Sequence, residues 1–235
     1  MLARNRLLML ITLAAILLLA AFLRFWQLET LPPGLYHDEA YNGLDALSLL
    51  DGRTFPQFYE GWELYAADAH AQRPAVESRF PLFFEGNYGR EPLHVYLMAL
   101  SMSQLGVTPF ALRAGPAAAG VLAVFTTFLA AIALFSATVD RKSTISIALL
   151  AAFFLAIIYP AVHFSRFGIR AMLFVPVETM AVACFWWAVS RSRRLESRDD
   201  FVVWLLFISA GFFLGLGIYT FAAARLFPLL WLIFV

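Results

Sequence analysis

Long apolar runs separated by short polar stretches set the pattern of this chain. Residues 7–23 are almost uninterruptedly apolar, and similar runs cover 114–135, 145–162, 171–189 and 201–218. Each is near the length of about 20 residues that a helix needs to cross a hydrocarbon core. The last run, 226–235, stops in mid-pattern, so the chain reads as the N-terminal part of a longer transmembrane module. Arg4 and Arg6 precede the first run, and Phe22, Arg24, Phe25 and Trp26 close it in place of a small-residue cleavage site. It therefore reads as a retained helix with its N-terminus in the cytoplasm. The pattern predicts an all-α, polytopic helical bundle.

Residues 92–105 are apolar but short for a span, which predicts an interfacial helix. Charge decides its side of the argument. If it does not cross, Arg141 and Lys142 fall in the cytoplasm, and so do Arg191, Arg193, Arg194 and Arg198, in keeping with the positive-inside rule. Three polar segments, 24–91, 163–170 and 219–225, then gather on the outer face.

Composition agrees with this picture. The chain has 235 residues, 62% hydrophobic and 14% charged, too apolar for one soluble domain. A net charge of +1 gives no footprint for nucleic acid, and a single cysteine, Cys184, allows no internal disulfide. The acids are not evenly spread: eleven of the sixteen lie in the first loop, 24–91, against five arginines. That loop also contains the turn signal Pro32-Pro33-Gly34 and a short helix predicted over 40–50, closed by Asp51-Gly52.

The chemistry-bearing groups sit at the polar rims. Tyr36-His37-Asp38-Glu39-Ala40 places two adjacent carboxylates beside a histidine. Either could simply cap the helix that follows, Asp38 at its N-cap and Glu39 in its first turn. Equally, one could serve as a general base whose proton affinity its neighbour tunes. Arg90 and His94, in Arg90-Glu91-Pro92-Leu93-His94, stand at a helix start where they could hold a phosphate or a sugar. Arg166 and Arg170, near His163, are either snorkelling interfacial residues or anion ligands, and the same choice applies to Arg225. Glu178 lies inside an apolar run, where a charge costs on the order of 2.5–3.5 kcal/mol, so it must be protonated, paired or facing water. His37, His94 and His163, with Asp38 and Glu39, could gather around a divalent cation, though no short metal-ligand spacing such as HExxH supports it. P-loop, GxGxxG and GxSxG motifs are all absent.

On these residues the chain resembles the GT-C superfamily of membrane glycosyltransferases, and within it the protein O-mannosyltransferases and the bacterial lipid A aminoarabinose transferases. The similarity rests on the acidic pair after the first helix and on Arg90-Glu91-Pro92-Leu93-His94-Val95-Tyr96 closing the long loop. It extends to Ala111-Leu112-Arg113-Ala114-Gly115-Pro116, to Ser165-Arg166-Phe167, and to the glycine-rich run before Tyr219-Thr220. The resemblance implies a polyprenyl-phosphate-linked sugar as donor and an acceptor hydroxyl on a protein, lipid or polysaccharide, in a multi-pass protein of the bacterial plasma membrane. It implies inversion at the anomeric carbon, with Asp38 as general base, Glu39 as its partner, and Arg90, His94, Arg166 and Arg225 around the donor phosphate. It requires no cofactor beyond a candidate divalent cation. Arg170 stands where many such proteins carry an acid, and Glu178 is the candidate replacement. Two other readings remain open at this point: a transporter or flippase, for which only Glu178 speaks, and a non-catalytic membrane scaffold.

Overall fold

A computed structural model describes residues 2–51, 82, 84, 91–193 and 200–234. Among them every regular element is helical: α1 (Leu2–Phe25), α2 (His37–Asp51), α3 (Pro92–Leu105), α4 (Pro109–Phe135), α5 (Arg141–Ile157), α6 (Tyr159–Ser165), α7 (Ala171–Ser192), α8 (Phe201–Gly217), a 3-10 turn (Ala222–Leu226) and α9 (Phe227–Phe234). Three of these helices, α1, α4 and α7, are long and apolar enough to cross a membrane, and a fourth span results if α5 and α6 are taken together. The chain is compatible with a membrane protein on that ground.

Helix α4 is the central post, packing on α1, α3, α5 and α7, while α8 lies against α7. The core between α1, α4 and α5 shows why. Leu13, Ile16 and Ala20 line one face of α1; Ala148, Ala152 and Ala156 repeat every fourth residue on α5; Val124, Phe128 and Ala131 face them from α4. Small residues at that spacing let helix backbones approach closely where lipid offers no hydrophobic drive for association. The other face of α1, including Leu7, Leu8, Ile11 and Leu18, is exposed. An apolar exposed face of this kind suits lipid rather than water. One polar rung crosses the interior, Thr179 Oγ1 donating to Thr126 Oγ1 at 2.7 Å between α7 and α4.

Three boundaries differ from the sequence pattern. The run at 145–162 is not one straight helix: α5 and α6 meet at a 58° bend. Pro160 lacks an N–H to continue the ladder and its ring crowds the preceding turn. The carbonyls freed there, Leu155 O and Ala156 O, accept from Arg24 Nη2 at 3.1 Å and Nη1 at 2.9 Å. Helix α4 begins at Pro109 rather than 114, because Thr108 caps it by accepting from Ala111 N–H and Pro109 fits the first turn. Helix α2 begins at His37 rather than 40, which moves the acidic pair from the approach to a helix into its first turn.

Candidate functional site

The α2 start sorts the acidic pair. Tyr36 is the capping position, its carbonyl accepting from Ala40 N–H at 3.0 Å. Glu39, three residues on, reaches back so that its Oε2 accepts from Tyr36 N–H at 2.9 Å. This is the returning half of a capping box, so the cap is made by Glu39 and not by Asp38. The same carboxylate is wholly buried and accepts from Arg113 Nε at 2.8 Å, Arg113 Nη2 at 3.2 Å and Gly168 N–H at 2.8 Å. A buried carboxylate with its lone pairs filled in this way is committed to holding the structure together.

Arg113, from the second turn of α4, extends the knot. Beyond Glu39 it donates to Leu28 O, Pro32 O and Gly34 O, fastening the turn after α1. Gly168 closes it from the other side: its carbonyl accepts from Asn42 Nδ2 at 2.9 Å and lies 2.9 Å from His94 Nε2. Space is tight at this glycine, since a Cβ there would lie 3.1 Å from Glu39 Cγ and 3.3 Å from Leu112 O and would press on both. Four segments distant in sequence (the 32–42 turn, α3, α4 and the 166–170 loop) therefore meet around one buried ion pair.

Asp38 stands just outside this knot. Its side chain is 51% exposed, and its Oδ1 is 3.5 Å from His37 Nδ1. It lines a cavity of about 510 Å³ together with Tyr36, Asn42, His163, Phe167, Arg170 and Phe221. Such a volume is within the range of small-molecule sites. His163 is oriented within it, its Nδ1 3.3 Å from Tyr159 Oη and its ring 4.7 Å from that of Phe167. His37 packs edge-on against Tyr41.

Arg170 brings the positive charge. Its Nε lies 2.9 Å from Glu91 Oε2, an ion pair without a well-aligned hydrogen bond, and its guanidinium lies over the Phe221 ring at 6.0 Å. Arg225 Nη2 is 3.6 Å from the other Glu91 oxygen. One buried carboxylate at the start of α3 thus gathers two guanidiniums from the α7 approach and the 3-10 turn. The two arginines stand out in the sequence as rim cations; that Glu91 holds both is visible only in the fold.

The remaining predicted residues fall elsewhere. Arg166 is committed to structure: Nη1 donates to Leu23 O at 2.7 Å, and Nη2 donates to Trp26 O and Leu31 O at 2.7 and 3.1 Å, holding the last carbonyls of α1 and the turn beyond. Burial, and then the nearby Arg113 charge, draws its pKa below the usual arginine value. His94 is buried at Gly168. Glu178 is 4% exposed, inside α7, with neither carboxylate oxygen hydrogen-bonded, against Gly217 of α8. Arg90 lies outside the described residues. Among the described residues no three His, Cys, Asp or Glu side chains come together as a metal site. Of the proposed cation ligands, Glu39 and His94 are spent on Arg113 and Gly168, while His37, Asp38 and His163 remain at or beside the cavity.

Arg24 and Arg113 were missed as key residues. Both are fully buried. Their signal in the sequence is a lone arginine at the edge of an apolar run, a position that equally fits a snorkelling side chain. No family model, curated protein or solved structure matches this chain.

Proposed function

We propose that this chain is part of a membrane glycosyltransferase that moves a sugar from a polyprenyl-phosphate donor to an acceptor hydroxyl. The observation that carries the reading is the division of labour in the acidic pair: Glu39 is buried and consumed by Arg113, while Asp38 is half exposed on the wall of a cavity that also holds Arg170. A base and a phosphate-binding cation on one cavity are what the reaction asks for. The acceptor oxygen attacks the anomeric carbon from the face opposite the phosphate. Its proton passes to Asp38, the bond from that carbon to the phosphate oxygen breaks, and its electron pair leaves with the lipid phosphate. The configuration inverts. The departing phosphate gains negative charge as the bond breaks, and Arg170 offsets that charge. Positioning and electrostatics suffice because a lipid phosphate is already a good leaving group.

In this reading Glu39, Arg113, Gly168 and Asn42 are positioning residues for Asp38. Arg170 takes the role first given to Arg166, whose donors are occupied. Arg6, Arg141 and Lys142 face the cytoplasm and the Asp38 cavity faces the outside, following the positive-inside rule. For a divalent cation the cavity offers Asp38 with His37 beside it, and among the described residues no third His, Cys, Asp or Glu joins them.

The test is sugar transfer in membranes from a radiolabelled polyprenyl-phosphate sugar pool, wild type against Asp38→Asn at equal protein level. Loss of label transfer in Asp38→Asn supports the reading. Equal transfer by both proteins sinks it. A transport reading has one observation in its favour, the buried carboxylate of Glu178. It predicts that the labelled donor crosses the bilayer with its sugar still attached, which the same label reports.

A further inference from the structure

The end of the bundle opposite the Asp38 cavity carries a second cavity, of about 460 Å³, between α1 and α5. The two helices run parallel. Arg24 at the end of α1 reaches carbonyls at the end of α5, and Arg6 near the start of α1 shares this cavity with Arg141 and Lys142 at the start of α5. Polarity is graded in the same direction along both walls. From Arg6, Met9 lies about 4.5 Å deeper; from Lys142, Ile145 and Leu149 lie about 4.5 and 10 Å deeper, at 1.5 Å per residue. The cavity is cationic at one end and mainly apolar along its depth, where its two hydroxyls, Thr12 and Ser146, donate back to Leu8 O and Lys142 O of their own helices.

Among the described residues no ion pair engages Arg6, Arg141 or Lys142. The adjacent acid, Asp140, is used as a helix cap: its carboxylate accepts from Lys142 N–H, Ser143 N–H and the Ser143 hydroxyl at 2.9, 3.0 and 2.6 Å. Only a through-space attraction between Asp140 and Lys142 is left.

We propose that this cavity binds one anionic phospholipid, its phosphate among Arg6, Arg141 and Lys142 and an acyl chain along Met9, Ile145 and Leu149. Charge complementarity selects an anion. The apolar depth selects one that carries a hydrocarbon tail over a free phosphate. Basic cavities between spanning helices at a cytoplasmic face are suited to such headgroups, and each basic residue near an anionic lipid surface contributes about a fivefold preference. Three together give a preference on the order of a hundredfold over a zwitterionic lipid.

The experiment is native mass spectrometry of the protein released from detergent micelles containing phosphatidylglycerol and phosphatidylcholine with identical acyl chains. Wild type should retain one phosphatidylglycerol per chain with that preference. Arg6→Ala/Arg141→Ala/Lys142→Ala should lose it at an unchanged melting temperature, and Arg6→Lys/Arg141→Lys should keep it. If the triple variant does not fold, the lysine variant and wild type decide, since charge without guanidinium geometry is enough for this site. Arg191→Ala/Arg193→Ala, which removes charge at the C-terminal end of α7, should retain the preference. Equal retention of both lipids by wild type overturns the proposal. So does a preference that survives the triple variant or falls equally in the Arg191/Arg193 variant, and so does displacement of the lipid by inorganic phosphate at millimolar concentration.

Discussion

Glu39 Oε1 lies 2.8 Å from Arg113 Nε with both side chains fully buried, and this pair ties α2 to α4. Removing one partner leaves an uncompensated charge in a dry place, which costs about 3–5 kcal/mol. Glu39→Gln and Arg113→Met are each expected to lower the melting temperature in detergent sharply, whereas Asp38→Asn, altering a half-exposed side chain, leaves it unchanged. A double variant lacking both partners should lose less than the two single losses added together, because neither charge is then stranded. Melting curves for the four proteins decide the matter; a strongly destabilised Asp38→Asn would contradict this division.

Arg170 and Arg225 share Glu91 but not the same access to the cavity: Arg170 lines it, whereas Arg225 is half exposed and not part of its wall. If Arg170 meets the departing phosphate, Arg170→Ala should reduce sugar transfer by about 10²–10³-fold, the usual effect of losing one charge-stabilising donor. Arg225→Ala should cost less than about tenfold. Glu91→Gln loosens both arginines without removing either, so transfer should fall less than in Arg170→Ala. Initial rates of label transfer at equal protein level test the ordering.

Two glycines on α4 make a matched pair. A Cβ on Gly120 would sit 2.6 Å from Arg24 Nε and 2.6 Å from Ser165 Cβ, where α1 and α6 press against the post. Gly120→Ala should destabilise by about 1–3 kcal/mol, as overpacking does. Gly115 has nothing within 4 Å of its built Cβ. Gly115→Ala should be neutral or stabilise by about 0.5–1 kcal/mol, by removing a helix-interior glycine. Thermal melting of the two single variants reads both effects, and equal destabilisation would deny the close approach at Gly120.

Glu178 and Gly217 are coupled by contact, since a Cβ on Gly217 would overlap Glu178 Oε1. Gly217→Ala is expected to lower stability on its own. Combined with Glu178→Ala, much of that loss should be recovered because the space is vacated. Glu178→Gln keeps the shape and replaces a carboxyl group that makes no hydrogen bond among the described residues, so it should fold at least as well as wild type. A melting-temperature cycle of the four proteins checks the coupling; simple additivity would place the two residues apart.

Local pattern carried a good part of this protein. The apolar runs are long enough to mark α1, α4 and α7 as spanning helices, because hydrophobic length is a property of the chain itself. The starts of α4 and α5 lie earlier than the apolar pattern marks them, because Thr108 with Pro109 and Asp140 cap the helices ahead of the apolar runs. The acidic pair at 38–39 is plain in the sequence, but which of the two the fold buries is not, since both carboxylates stand side by side in one first turn.

Which carboxylate is buried depends on Arg113, 74 positions away from Glu39, and on the Gly168 N–H, 129 positions away. The same holds for the arginines. Arg24, Arg113 and Arg166 look like interfacial snorkelling residues in a linear string. In the fold they hold carbonyls freed at the Pro160 bend, in the turn after α1 and at the last turn of α1. A helix end determines by itself that its carbonyls need partners, and an apolar run determines by itself that a charge within it needs one too. Which charge meets which carbonyl is decided only when the helices pack, because the groups that satisfy one another lie on different elements.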